Sequence, residues 1–221
     1  AGGSPFFSFW GYLMEIIEKP LVISISGGRT SGYMARLCQQ RLGNERPISY
    51  IFANTGMEHP DTLRFLHDIE INFDMDIAWV EAVFSPDRGT RHRVTDYDNA
   101  YTLEDWRDPL HPYHALCAKH GIPSNMNPNC TRDMKLYAIN SYRKANGLKD
   151  ADVAIGIRTD EMRRVRAGAT KDNIVYPLVD WFPADKEDVL DFWTDYAWDL
   201  TIPEHLGNCV SCFKKSDKKL F

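Results

Sequence analysis

The sequence has little that would carry it into or across a membrane. No apolar run approaches the ~20 residues needed to span a bilayer. The aromatic opening AGGSPFFSFWGYL lacks a basic n-region and a small-residue cleavage site, so it does not read as a signal peptide. A cytoplasmic location is therefore expected. Cysteine is sparse, five in 221 residues, an odd number that without a secretory signal points to thiol or metal roles rather than disulfides. Positive charge is not in excess. A net charge of -5 argues against a broadly basic nucleic-acid coat, although a local groove depends on placement and not on the sum. Internal repeats, low-complexity tracts and a G-x-x-x-x-G-K-[ST] phosphate loop are all missing.

What is present is an ordinary globular composition, 43% hydrophobic and 26% charged, in a chain long enough for one full core. Met14 precedes a segment that reads like a natural start, which sets residues 1–13 upstream of it; residues 1–19 are taken as an N-terminal extension and 20–221 as the domain. The apolar β-rich runs 21–25, 48–53, 77–80 and 153–157 predict strands. Helical periodicity appears over 32–42, from Pro60 toward Phe73, near 112–120, from 131 to about 145 and over 186–196. Strands alternating with helices imply an α/β fold, an open, mostly parallel twisted sheet with helices on both faces and a short cysteine-bearing tail. Residues 84–111, rich in Asp, Arg and Tyr, break the rhythm and predict a long loop or insertion over the site.

The most informative segment is Ser26-Gly27-Gly28-Arg29-Thr30-Ser31, between the first strand and the first helix. Glycines there permit positive φ and leave room for successive amides to face one anion at the helix's positive end. Three hydroxyls and one guanidinium add further donors. Asn54, Thr55 and Gly56 end the second strand on the same sheet edge, where ligands of open α/β sheets lie. Glu58 and His59 follow at the start of the next helix; for His59 a solvated polar role is the preferred reading, and for Glu58 that role and a place at the site both stay open. Gly156 ends a later strand and leads into Arg158, Asp160, Glu161, Arg163, Arg164 and Arg166. That density of charge suggests a phosphate or sulfate clamp centred on Arg158 and Arg164. Arg88, Arg91, His92 and Arg93 form either a local nucleic-acid contact or a solvated charged loop.

Cys209 and Cys212 form a C-x-x-C pair beside Lys214 and Lys215, and Cys130 precedes a helix. Three such thiols suit an iron–sulfur cluster or a zinc site, with a redox dithiol at Cys209 and Cys212 as the competing reading. Cys38 and Cys117 lie on helix-like runs and read as buried and unreactive.

The Ser26–Ser31 turn resembles the PP-loop S-G-G-x-D-S of ATP pyrophosphatases, with Thr30 in place of the acidic residue. The segments F-A-N-T-G-M-E-H-P-D-T-L-R-F, C-T-R-D-M-K, G-I-R-T-D-E-M-R-R and G-N-C-V-S-C-F-K-K are similar, in order, to blocks of phage and bacterial phosphoadenosine phosphosulfate (PAPS) reductase-like proteins. The resemblance runs from about residue 20 to the end. It implies an adenine-nucleotide-binding enzyme using ATP or PAPS/APS, with adenosine bordering Asn54–Gly56. It adds Lys135, which closes the C-T-R-D-M-K block, to Arg158 and Arg164 as candidate catalytic residues. It also favours a 4Fe-4S cluster at Cys130, Cys209 and Cys212, with zinc as the alternative. Thr30 puts the usual magnesium arrangement in question, and Asn129-Cys130 stands where cluster-bearing reductases carry Cys-Cys. No cysteine follows Cys212, so the reductases' E-C-G-[IL]-H nucleophile motif is not found. The resulting expectation is ATP-dependent sulfur transfer: adenylation with pyrophosphate release, then thiolation from sulfide or a donor protein. A nucleic-acid acceptor and a homo-oligomer are both compatible with it. Sulfonucleotide reduction is the second reading and a non-enzymatic nucleotide sensor the third.

Overall fold

The computed structural model describes residues 19–85, 89–203, 207, 209–210 and 212–215. A six-stranded sheet in the order β4-β3-β2-β1-β5-β6 forms its centre. The strands are β1 Leu21–Ile25, β2 Ile48–Asn54, β3 Ile77–Val83, β4 Arg91–Thr95, β5 Asp152–Ile155 and β6 Ile174–Val175. All pairings are parallel except β3 with β4. The helices are α1 Arg29–Leu42, α2 Pro60–Phe73, α3 Pro112–His120, α4 Tyr137–Ala145, α5 Pro177–Asp180 and α6 Lys186–Thr194. A π-helical turn, Thr131–Leu136, leads into α4.

Period-two alternation divides the strand residues between two cores. Leu21, Ile23, Ile25, Phe52 and Trp79 pack with Met34 and Cys38 of α1, Phe65 and Ile69 of α2, and Trp193 of α6. Val22, Ile51, Ala53, Val80 and Ala82 face the other way, against Leu116 of α3 and Met134, Ala138 and Ile139 around α4. Apolar side chains on both strand faces are what a parallel sheet covered on both sides requires. The expected α/β architecture is therefore observed.

Two local expectations are corrected. Residues 84–111 are not simply a loop: Arg91–Thr95 pairs antiparallel with β3 as an edge strand, and a 3₁₀ turn, Leu103–Asp105, follows. Its short polar sequence hides it, because edge strands carry charge on both faces. The fifth strand ends at Ile155 rather than Ile157; Gly156 then approaches α1 at Ser31, while Ile157 packs with Ala169 and Tyr176. Part of the N-terminal extension, residues 1–18, lies outside the described residues.

Candidate functional site

The carboxyl ends of β1, β2 and β5 bring the predicted residues to one edge of the sheet. At β1, Gly27 takes φ +75°, and a Cβ there would lie 2.5 Å from the Thr62 methyl, so only glycine fits. Gly28 caps α1 in extended conformation, directing the helix's first amides outward. Ser31 Oγ donates to the Gly28 carbonyl (2.9 Å) and accepts from Ser26 N–H (3.0 Å), which fixes the turn. Gly156 allows β5 to approach closely: a Cβ there would stand 3.3 Å from Ser31 Cα. Arg158 Nη1 donates to Thr30 Oγ1 at 3.0 Å. The threonine at the acidic position of the PP-loop pattern thus holds an arginine. Ser26, Gly28, Thr30, Gly156, Arg158, Glu161 and Arg164 line a cavity of about 280 Å³; Glu161 pairs with both arginines, and the first turn of the helix, with no acidic residue, is the end suited to an anion.

Arg29 departs from its expected part. Its guanidinium faces Asp199 and the Leu200 carbonyl, although the residue borders the cavity. Asn54 and Gly56 also serve from behind the site. Asn54 is fully buried, donates to Glu81 at 2.6 Å and to the Tyr101 carbonyl at 2.8 Å, and accepts from Gly56 N–H. Arg93 is directed at buried Glu81, and His92 hydrogen-bonds Ser141. Arg91 and Arg93 are exposed, and Arg88 lies outside the described residues. Arg166 pairs with Asp172 on the surface.

A second cavity, about 600 Å³, adjoins the first. Thr55, Cys130, Lys135, Cys209 and Cys212 line it, and Arg164 lines both. Beneath it Glu58 is buried at 3% exposure, which decides against the solvated alternative for this residue. Its carboxylate accepts from Thr55 N–H (3.0 Å) and Oγ1 (2.7 Å) and faces Lys135 Nζ at 3.6 Å. Only His59 fits the helix-start reading, capping α2 by accepting from Asp61 N–H. Burial draws the Lys135 ammonium toward neutrality, but Glu58 and the cysteines outweigh this and hold its pKa above the ordinary value. Burial, and then Glu58, push the Cys209 thiol up to about 11. Cys209 Sγ lies 3.4 Å from Thr55 Oγ1 and 3.6 Å from Glu58. Cys38 is buried with its thiol pushed up to about 12. Burial likewise raises Cys117, in keeping with structural roles for both.

Three thiols around one cavity fit the donor type of an iron–sulfur cluster. Among the described residues no group of three or more Cys, His, Asp and Glu side chains is gathered to hold a single metal ion. None of the helices described is long and apolar enough to cross a membrane. Sequence reasoning missed Glu58 and Asp199. The first had a signal, since an acid three residues after Thr55 can turn back onto that residue's amide. Asp199, 170 residues from its partner, had none.

A mostly parallel α/β sheet with a glycine-rich turn at its carboxyl edge and a cysteine-lined cavity beside it is the architecture of a nucleotide-binding class. Comparison with known proteins makes this specific. Residues 20–192 match the phosphoadenosine phosphosulfate reductase domain, and the chain belongs to that family. Membership brings with it, in general, enzymes of sulfonucleotide chemistry. The chain is 34% identical over 206 residues to an uncharacterized nin region protein, ORF290, of Escherichia phage lambda, covering 90% of this chain and 67% of that one. It is also similar to a crystal structure of phosphoadenylyl-sulfate (PAPS) reductase from Candida auris in phosphate complex. That match has a TM-score of 0.48 and 15% identity, over 84% of this chain and 75% of the other.

Proposed function

We propose that this protein binds an adenine nucleotide with its phosphates in the Ser26–Ser31 cradle and uses it for ATP-dependent sulfur transfer. The observation that carries this reading is Arg164, which lines both the phosphate cavity and the cysteine cavity. The reacting end of a nucleotide held by the first cavity is thereby directed at the second. Arg158 and the α1 amides would bind the departing pyrophosphate. An acceptor oxygen attacks the α-phosphorus, pyrophosphate leaves, and AMP leaves in turn when sulfur takes its place. Lys135, positively charged and deep in the cavity, is placed to stabilise negative charge on the group being transferred. Cys130, Cys209 and Cys212 would hold an iron–sulfur cluster, which when bound supplies an iron able to carry sulfide. The domain responsible is taken as residues 20–221, acting in the cytoplasm, with magnesium able to accompany ATP.

A second reading is favoured by the C-x-x-C pair itself. Cys209 and Cys212 line the cavity beside Lys135, so a thiolate there could take the sulfonyl group of APS or PAPS and release AMP or the 3′-phosphorylated product. Protein purified without oxygen and supplied with ATP, APS or PAPS separates the two. Pyrophosphate release from ATP, with iron and sulfide in the protein, supports the first. Sulfite release from a sulfonucleotide supports the second. Consumption of no nucleotide, together with a raised melting temperature in its presence, would leave only nucleotide sensing.

A further inference from the structure

The chain beyond α6 returns to the site and is attached at Arg29 of the cradle, at α2 and at Met57. Arg29 Nε donates to the two Asp199 carboxylate oxygens at 2.8 and 3.0 Å, and Nη2 donates to Asp199 at 2.7 Å and to the Leu200 carbonyl. From α2, Asp61 accepts from Thr201 N–H (2.8 Å) and Oγ1 (2.9 Å), and Arg64 donates to the Asp199 carbonyl at 3.1 Å. Leu200 and Ile202 are each 7% exposed and form one wall of the phosphate cavity. Further along, Val210 N–H donates to the Met57 carbonyl at 2.8 Å, beside the Thr55–Cys209 contact. Leu200 and Ile202 thus wall the phosphate cavity, and Cys209 and Cys212, further along the same chain, line the neighbouring one.

A guanidinium with two or more charge-assisted bonds in a fixed fork is oriented as well as neutralised. Arg29 has its fork filled by Asp199, at the turn where a free guanidinium would be expected to meet phosphate. We infer that Arg29 is a positioning residue rather than a phosphate ligand. Through Asp199 it holds the 198–203 strap, and with it Cys209, in register with the phosphate cavity. The consequence for turnover rests on the nucleotide-dependent reading above; the structural part does not.

Asp199→Asn separates the two roles, because it leaves the cradle residues untouched while weakening the fork. Amide hydrogen exchange followed by mass spectrometry is expected to show the 207–215 peptide exchanging at least about tenfold faster in Asp199→Asn, with β1 and α1 unchanged. Asp199→Glu, which keeps the charge, should restore most of the protection. So should the charge-swapped pair Arg29→Asp with Asp199→Arg, which is read by exchange alone because it places an acid in the cradle. With whichever nucleotide is consumed, Asp199→Asn should lower kcat about tenfold while nucleotide Kd stays equal or tightens, since Arg29 is released toward the phosphates. Unchanged tail exchange in Asp199→Asn overturns the inference. So does a fall in nucleotide affinity equal to the fall in turnover, which would make Arg29 and Asp199 ordinary parts of the binding wall. Wild-type protein that consumes neither ATP nor a sulfonucleotide sinks the functional reading, and the exchange comparison then decides the positioning claim by itself.

Discussion

The imidazole of His111 occupies the space that a side chain at Gly56 would need: a Cβ built there would lie 2.1 Å from His111 Nε2. Gly56 has φ +74°, His111 is fully buried, and the turn between them carries Thr55 into the cysteine cavity. The 103–120 segment therefore backs the candidate site at His111 and reaches the cysteine cavity through Tyr113.

This contact makes Gly56→Ala far more damaging than its size suggests. A left-handed non-glycine residue costs roughly 1–2 kcal/mol, and displacing a buried ring should bring the total to at least about 3 kcal/mol. Gly147, at φ +72° with open space around it, is the control. Gly147→Ala should carry only the backbone part, about 1–2 kcal/mol. Urea unfolding of the two variants measures the difference; equal losses would mean that the His111 contact contributes nothing.

His111 should also register in the pH dependence of stability. Burial holds its pKa below the ordinary histidine value, partly offset by its bonds to the Thr102 carbonyl and the Gly56 turn. The folded protein then binds fewer protons than the unfolded chain, whose histidine titrates near about 6.5. Stability consequently declines as pH falls below that value and levels off once the folded-state pKa is passed. Asn keeps the capping acceptor that His111 presents to Tyr113 N–H, so His111→Asn should flatten the slope between pH 7.5 and 5.5. An unaltered slope in unfolding free energy would assign it to His92, whose pKa burial also lowers.

Glu58 and Lys135 form the charged floor of the cysteine cavity, and their interaction can be isolated. Breaking a fully buried pair costs about 3–5 kcal/mol, but Lys135 is 34% exposed and opens onto the cavity. A coupling nearer about 1 kcal/mol is expected after solvent screening. A double-mutant cycle of Glu58→Gln and Lys135→Met on unfolding free energy tests this. Glu58→Gln alone should exceed the coupling, because the Thr55 amide and hydroxyl lose a charged acceptor as well.

The sequence made the layered sheet and the cradle legible, for a common physical reason. Near-continuous apolar runs in 21–25 and 48–53 report burial on both strand faces, and Gly27-Gly28 reports a backbone that no side chain can share. Both signals are local. The contacts of Glu58, Asn54 and Arg29 were not legible, because each polar side chain meets a partner outside its own segment: Lys135, Glu81 and Asp199. Composition alone makes such residues look like solvated surface or ligand contacts. Edge strand β4 was hidden in the same way, its Arg93 facing a buried carboxylate across the ladder.

Arg164 offers the cleanest separation of catalysis from folding. Its side chain is 61% exposed and its ion pair is with Glu161, three residues away, so Arg164→Ala should change stability by no more than about 0.5 kcal/mol. Arg158 differs. At 17% exposure it bonds Thr30 and Asp160, and Arg158→Ala should destabilise by about 1–3 kcal/mol as well as weaken nucleotide binding. If Arg164 meets the charge that develops between the two cavities, its loss should lower turnover about a hundredfold or more, the scale of a missing transition-state donor. Nucleotide Kd should rise by no more than about tenfold, because the α1 amides and Arg158 keep the ground-state grip. Calorimetric binding and single-turnover rates on the same preparation read both numbers. Equal losses in the two would place Arg164 among the binding residues and leave Lys135 as the charge that acts on the transferred group.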